Sequence, residues 1–199
     1  MAEPFKIEIY RKKDCEDFTK ALADPETRLE TGGGAAMTAA TAAALMERAA
    51  AITVKAAGSN ERLDYILRNA EILRGYMVHL IDEDVKSRGP LRRAISEGDP
   101  QKIEAAGQTA VSICSEIINM MGKQLELLAE LKELCRPEAA HYLRSSAELS
   151  MAAMRACVPF ILNLSQKNSD ETYRYVSRRE NEMTLEQFRP IYEKLAAEN

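Results

Sequence analysis

Apolar residues return every three or four positions along most of this chain, a period that predicts helices and leaves little room for strands. The exception is the start, where Ile7 and Ile9 alternate with charged residues between Phe5 and Tyr10 and suggest a brief extended strand or arm. Asp14 then reads as the N-cap of a helix carrying Phe18, Ala21 and Leu22 that ends before Pro25. A second helix follows Gly32, Gly33 and Gly34, and alanine on nearly every side of it predicts a place at the centre of a bundle. After a break at Gly58-Ser59-Asn60, the stripe Leu63, Ile66, Ala70, Leu73, Met77, Leu80 and Ile81 predicts a helix from Glu61 to about Arg88. Gly89-Pro90 is its expected stop, with Arg92 and Arg93 in a short turn.

Asp99 followed by Pro100 signals the next helix, whose stripe from Ile103 to Leu134 runs to about Cys135, with Lys123, Gln124 and Glu126 on its polar side. Pro137 opens another helix, kinked at Pro159, whose Met151 and Met154 read as packing. Asp170 caps a segment with Tyr173 and Tyr175, and Thr184 with Gln187 forms a capping box for a last helix ending near Ala197. No repeat, linker or low-complexity segment divides the chain, so residues 1–199 are expected to form a single all-α domain.

Composition narrows the class. Of 199 residues 46% are hydrophobic, enough for a substantial core, and only 9 glycines and 7 prolines interrupt a helix-favouring vocabulary. Cys15, Cys114, Cys135 and Cys157 are far apart and lack C-x-x-C spacing, so neither a zinc site nor a disulfide framework is indicated, and reduced thiols in a cytoplasmic protein are expected. A formal charge of −4 without an aromatic-basic pattern argues against general nucleic-acid binding. A membrane role is not expected either: the start has no signal-peptide core, and Ala35 to Met46 is shorter than the roughly 20 residues of a span.

Two features point to chemistry. Three consecutive glycines cost backbone entropy and are explained where the chain needs positive φ or a close approach, or where free N–H groups at a helix start receive an anionic ligand; a flexible hinge is the plainer alternative. They do not make a phosphate loop, because Ala35 and Ala36 follow where Lys and Ser or Thr are required, and no strand or G-x-G-x-x-G spacing precedes them. The second feature is Asp84, which continues the apolar stripe while Asp82 and Glu83 are expected to turn away from the core. Burial would raise its pKa toward the range of a proton-transfer group; the alternative is an edge-of-core Asp paired with Arg88 one turn later. Asn163, inside an apolar run, is a candidate for a buried hydrogen bond or a helix cap.

Thr31-Gly32-Gly33-Gly34-Ala35-Ala36 entering a small-residue helix resembles the P-G-G-G-S/A motif of the cyclodeaminase domain of formiminotransferase-cyclodeaminase and of related methenyltetrahydrofolate cyclohydrolases. The resemblance extends in the same order through Asp17-Phe18, Leu80-Ile81-Asp82-Glu83-Asp84, Leu162-Asn163-Leu164 and Ser169-Asp170-Glu171-Thr172, covering nearly the whole chain. It implies an up-and-down helical bundle that dimerises with a folate site near the glycines. Activity is implied on one-carbon units of tetrahydrofolate, as an ammonia-releasing cyclodeaminase (lyase) or as a cyclohydrolase. The folate would be the substrate, with no permanently bound cofactor and no metal.

The resemblance places the catalytic acid at Asp84; on this enzyme reading Thr31 and Gly32, Gly33 and Gly34 are expected to contact the substrate through backbone donors, Asn163 to orient the folate, and Lys55, Arg88, Arg92 or Arg93 to lie near its anionic tail. The pattern is broken at three places: Thr31 and Ala110 replace prolines, and Ala140-His141 replaces a Ser-Asp pair, making His141 the candidate titrating substitute or a structural histidine. These departures leave a competing expectation, a folate-binding or structural helical dimer descended from such an enzyme. A homodimer is expected on either reading, because one bundle of long helices offers too few neighbours for the Ala35–Ala51 helix.

Overall fold

The computed structural model describes residues 9–197, and among them every regular element is a helix. The expected arm from Phe5 lies mostly outside the described residues; Ile9 is extended and leads into a 3-10 turn at Tyr10–Lys12. Six α-helices follow: α1 (Cys15–Ala23), α2 (Thr31–Ala57), α3 (Glu61–Glu97), α4 (Pro100–Leu134), α5 (Ala140–Ser165) and α6 (Glu171–Ala196). A second 3-10 turn, Pro137–Ala139, joins α4 to α5.

Local chemistry accounts for most boundaries. Asp14, Asn60, Asp99 and Asp170 each accept a backbone N–H in the first turn of the helix they precede. Gly58 and Gly98, at φ 84° and 67°, end α2 and α3 in a conformation costly for residues with a Cβ.

Two expected boundaries are corrected. α3 continues through Gly89-Pro90 to Glu97, because Leu91 and Ala94 bury against the bundle while Pro90 and Lys86, the pair that loses a hydrogen bond, both face solvent. α6 likewise runs through Thr184, whose hydroxyl donates back to the Glu180 carbonyl (2.9 Å) instead of capping a new helix.

α2 sits at the centre, packed by α3, α4 and α5 of the same chain. Ala36, Ala39, Ala42, Ala43, Ala49 and Ala50 are buried, so the enclosure expected to require a second subunit is supplied within one chain. Exposed apolar side chains lie elsewhere, at Tyr65, Ile72 and Tyr76 on α3 and at Tyr175, Val176 and Met183 on α6.

Gln124 is also corrected, from the polar side of α4 to full burial, where its amide donates to the Ser146 and Ser150 hydroxyls. α5 with its 3-10 turn, Pro137–Ser165, is long and apolar enough to cross a membrane by length and composition. Here it packs against α2, α4 and α6, with Met151, Ala153, Met154 and Cys157 buried.

Gly122 fixes the α4–α6 contact: a Cβ there would stand 2.6 Å from Phe188 Cδ2. Gly122→Ala is expected to cost about 1–3 kcal/mol through overpacking. Urea unfolding should show this as a lower midpoint with an unchanged slope.

Candidate active site

The site forms where the first turn of α2 meets the middle of α3. Asp84 extends the buried stripe of Met77, Leu80 and Ile81 and is 0% exposed. Its Oδ2 accepts the Gly33 N–H at 2.9 Å, and its Oδ1 accepts Arg88 Nη2 at 2.7 Å. The two sequence alternatives therefore occur together: Asp84 is paired with Arg88, but deep inside the protein rather than at its edge. Burial has the largest influence on the carboxyl and raises its pKa; Arg88 and the Gly33 N–H oppose that rise without cancelling it.

The glycine triplet supplies room. It is helical, and none of the three has positive φ. A Cβ on Gly32 would overlap Asp84 Oδ1 and stand 2.5 Å from its Cγ, and one on Gly33 would overlap the Leu29 side chain. The expectation of backbone donors left free for a ligand is corrected at two positions, since Gly33 gives its N–H to Asp84 and Gly34 gives its own to the Glu30 carbonyl. The hinge reading is also set aside, because α2 starts at Thr31 and includes the triplet.

From Asp84 a ladder of charge climbs one face of α3 toward solvent. Arg88, 1% exposed, lies 3.4 Å from Glu30 Oε2 through Nη1, while its guanidinium carbon stands 3.7 Å from the centre of the Phe160 ring. Arg92 follows one turn later: it holds Glu30 Oε1 at 2.9 Å and binds the Thr27 and Glu26 carbonyls, fastening the loop before α2 to α3. Buried Cys114 and Cys157 lie side by side near the pair. The Cys114 thiol, then burial, then the Asp84 charge push the Cys157 thiol well up.

Glu30, Phe160 and the cysteine pair were not singled out from sequence. Glu30 alone carried a signal there, an acid at the mouth of the glycine turn with arginines on a neighbouring helix.

The other expected residues are dispersed. Thr31 is exposed at the start of α2, beside the site. Lys55 is exposed twenty-two residues beyond Gly33 on α2, about 33 Å away at helical rise. His141 is exposed at the start of α5, at the end of the bundle where Arg136 meets Thr53. Sixteen residues, about 24 Å, separate His141 from Cys157 beside Asp84. The chain itself does not bring His141 or Lys55 to the site.

Asn163 is corrected from buried to exposed: Cys157, Ile161 and Leu164 take the inward face of α5 and leave it on the opposite side, one turn past Phe160. Asp82 is corrected the other way. It is buried, accepting the Tyr10 and Arg11 N–H groups at 2.8 and 3.2 Å and pairing with Arg11 Nε at 3.1 Å, so the N-terminal turn covers it.

A family model described as formiminotransferase-cyclodeaminase matches residues 14–183. Among solved structures, the crystal structure of formiminotetrahydrofolate cyclodeaminase from Thermotoga maritima shares the fold with a TM-score of 0.83 at 21% sequence identity, over 93% of this chain and 96% of that one. No curated protein matches the sequence.

The raised Asp84 pKa has a stability consequence of defined sign. A carboxyl whose pKa is higher folded than unfolded stabilises the fold below its unfolded value, about 3.9, and that contribution is lost as pH rises through the folded value. The unfolding free energy of wild type relative to Asp84→Asn is therefore expected to shift in favour of wild type on acidification from about pH 7 to about pH 4. Urea unfolding across that range checks it, and a difference independent of pH would contradict the shift.

Proposed function

Because this chain belongs to the formiminotransferase-cyclodeaminase family, we propose that it closes 5-formimidoyl-tetrahydrofolate to 5,10-methenyl-tetrahydrofolate with release of ammonia, using Asp84 to move the proton. The observation that carries this reading is a buried carboxylate with a raised pKa, held at a glycine turn by one arginine and one backbone N–H.

The reaction needs little else. The formimidoyl group reacts as its amidinium, whose nitrogen already carries two hydrogens: N10 attacks its carbon and loses its proton, that nitrogen gains the proton, and the carbon–nitrogen bond breaks to expel NH3 and leave the methenyl cation. One group placed between the two nitrogens can accept the first proton and return it to the leaving nitrogen, and a carboxyl titrating nearer neutrality than an ordinary Asp suits both halves. Water attack on the methenyl product passes through the same carbon, so a cyclohydrolase activity would use the same group. The relative named as a formiminotetrahydrofolate cyclodeaminase favours the ammonia-releasing direction.

Arg88 orients Asp84 and keeps it ionised until it takes a proton, and its stacking on Phe160 fixes the guanidinium plane. In this reading Thr31 and Gly32 to Gly34 form the wall beside the acid, and Asn163, exposed one turn past Phe160 on α5, would contact the ligand from that side. Since the first turn of α2 closes Asp84 from solvent, ligand entry requires that turn to part from α3.

Asp84→Asn preserves shape and removes the titrating proton. It is expected to lower the rate of methenyl-tetrahydrofolate formation, followed by absorbance together with ammonia release, by about 100-fold or more. An unchanged rate would remove Asp84 from the chemistry. A thermal shift with folates in a wild type that shows no turnover would favour a binding protein instead.

The same family reading proposes a homodimer, with exposed Tyr65, Ile72 and Tyr76 of α3 among the side chains available to an interface. Light scattering at micromolar concentration is expected to give twice the 22.2 kDa chain mass. A stable monomer would contradict this.

A further inference from the structure

Three observations meet at Glu30. It holds the N-cap position of α2 yet makes no side-chain capping hydrogen bond, so the helix start does not consume its carboxylate. That carboxylate instead bridges two arginines, with Oε2 3.4 Å from Arg88 Nη1 and Oε1 2.9 Å from Arg92 Nη2. Beneath it, Arg88 is 1% exposed and its Nε and Nη1 have no hydrogen-bond partner, although a buried guanidinium ordinarily spends its N–H groups. The Glu30 contact therefore reaches Arg88 as a charge and does not satisfy it. Glu30 also lines, with Thr31, Gly34 and Arg92, an open cleft of about 510 Å³ between the end of α1 and the start of α2. That volume falls within the range of small-molecule sites, about 300–1,000 Å³.

We infer that Glu30 is a displaceable counter-ion that keeps the place of a ligand carboxylate on Arg88 and Arg92. The two guanidinium groups stand one turn apart on the same face of α3, a spacing that serves the two oxygens of a planar carboxylate. Glu30 and Arg92 are 35% and 39% exposed, so that ion pair is weak, and Arg88 keeps its hydrogen bond to Asp84 when Glu30 swings into the cleft. While it stays, it repels any second carboxylate, and when it leaves it uncovers Arg88. The identity of the ligand as a folate rests on the proposed function; the counter-ion role does not.

The test uses glutarate and N-(4-aminobenzoyl)glutamate as probes, titrated calorimetrically into wild type and Glu30→Gln. Glutamine removes the charge with little change of shape, and α2 loses no capping bond. Glu30→Gln is expected to bind both probes about tenfold tighter or better, and Glu30→Gln combined with Arg92→Gln is expected to lose that binding.

Asp24 lines the same cleft, so Asp24→Asn separates a counter-ion from general negative charge, with an expected change below about twofold. Unchanged, weaker or absent binding by Glu30→Gln would overturn the inference, as would binding that survives loss of Arg92 or an equal gain from Asp24→Asn. Tighter probe binding without any folate turnover would leave the counter-ion role standing and remove the folate reading. Turnover with unaltered probe binding would do the reverse.

Discussion

The contact between Asp84 and the first turn of α2 sets the terms for the rest of this structure. An ionised carboxylate taken fully out of water carries an effective penalty of several kcal/mol. Here it is met by one guanidinium at 2.7 Å, one backbone N–H at 2.9 Å and the positive end of a 27-residue helix. The pKa still rises, because burial, with a smaller push from the Glu30 charge, outweighs the Arg88 pairing and the Gly33 N–H. Asp84 therefore holds its proton more readily than an ordinary surface Asp, the direction of perturbation that the proposed proton transfer requires. The glycines belong to the same account: a side chain at residue 32 would occupy the space of the carboxylate, and the N–H at residue 33 would then be out of reach.

Much of this was legible. Helical periodicity located α1 to α5 and divided α6 in two, Asp99-Pro100 marked the start of α4, and extending the α3 stripe one more turn was enough to turn Asp84 inward. Gly89-Pro90 misled because a glycine and a proline together usually stop a helix, and that local preference was weaker than the burial of Leu91 and Ala94 beyond it. The consequence is more than a boundary. Only an unbroken α3 puts residues 84, 88 and 92 on one face, so the charge ladder could not be read while the helix was expected to end at its second rung.

Other failures have a common cause. Asp82, Gln124 and Asn163 were each assigned by helical phase or local run, but their environment is decided by elements distant in sequence: the Tyr10 turn over Asp82, the serines of α5 against Gln124, and solvent beside Asn163. The same holds for Cys114 and Cys157, whose wide separation argued against any pairing and whose helices nevertheless place them in contact. His141 and Lys55 show the converse. Position in a motif order said nothing of which end of the bundle each would occupy.

In sequence the alanine content of α2 reads as a demand for more neighbours, yet its physical effect is on distance. Helices approach more closely where the residues between them are small, and interaxial separation follows the side chains at the contact. With Ala35, Ala36, Ala39 and Ala43 buried along α2, the helix lies close to its neighbours, and that closeness lets a short side chain such as Asp84 reach the Gly33 N–H. Larger residues at those positions would move α2 outward and break the 2.9 Å bond at its first turn. Water would then enter beside the carboxylate, and its pKa would fall toward that of an ordinary Asp. The packing of the central helix and the protonation of the site are thus one constraint, set by the same run of small residues from Gly32 onward.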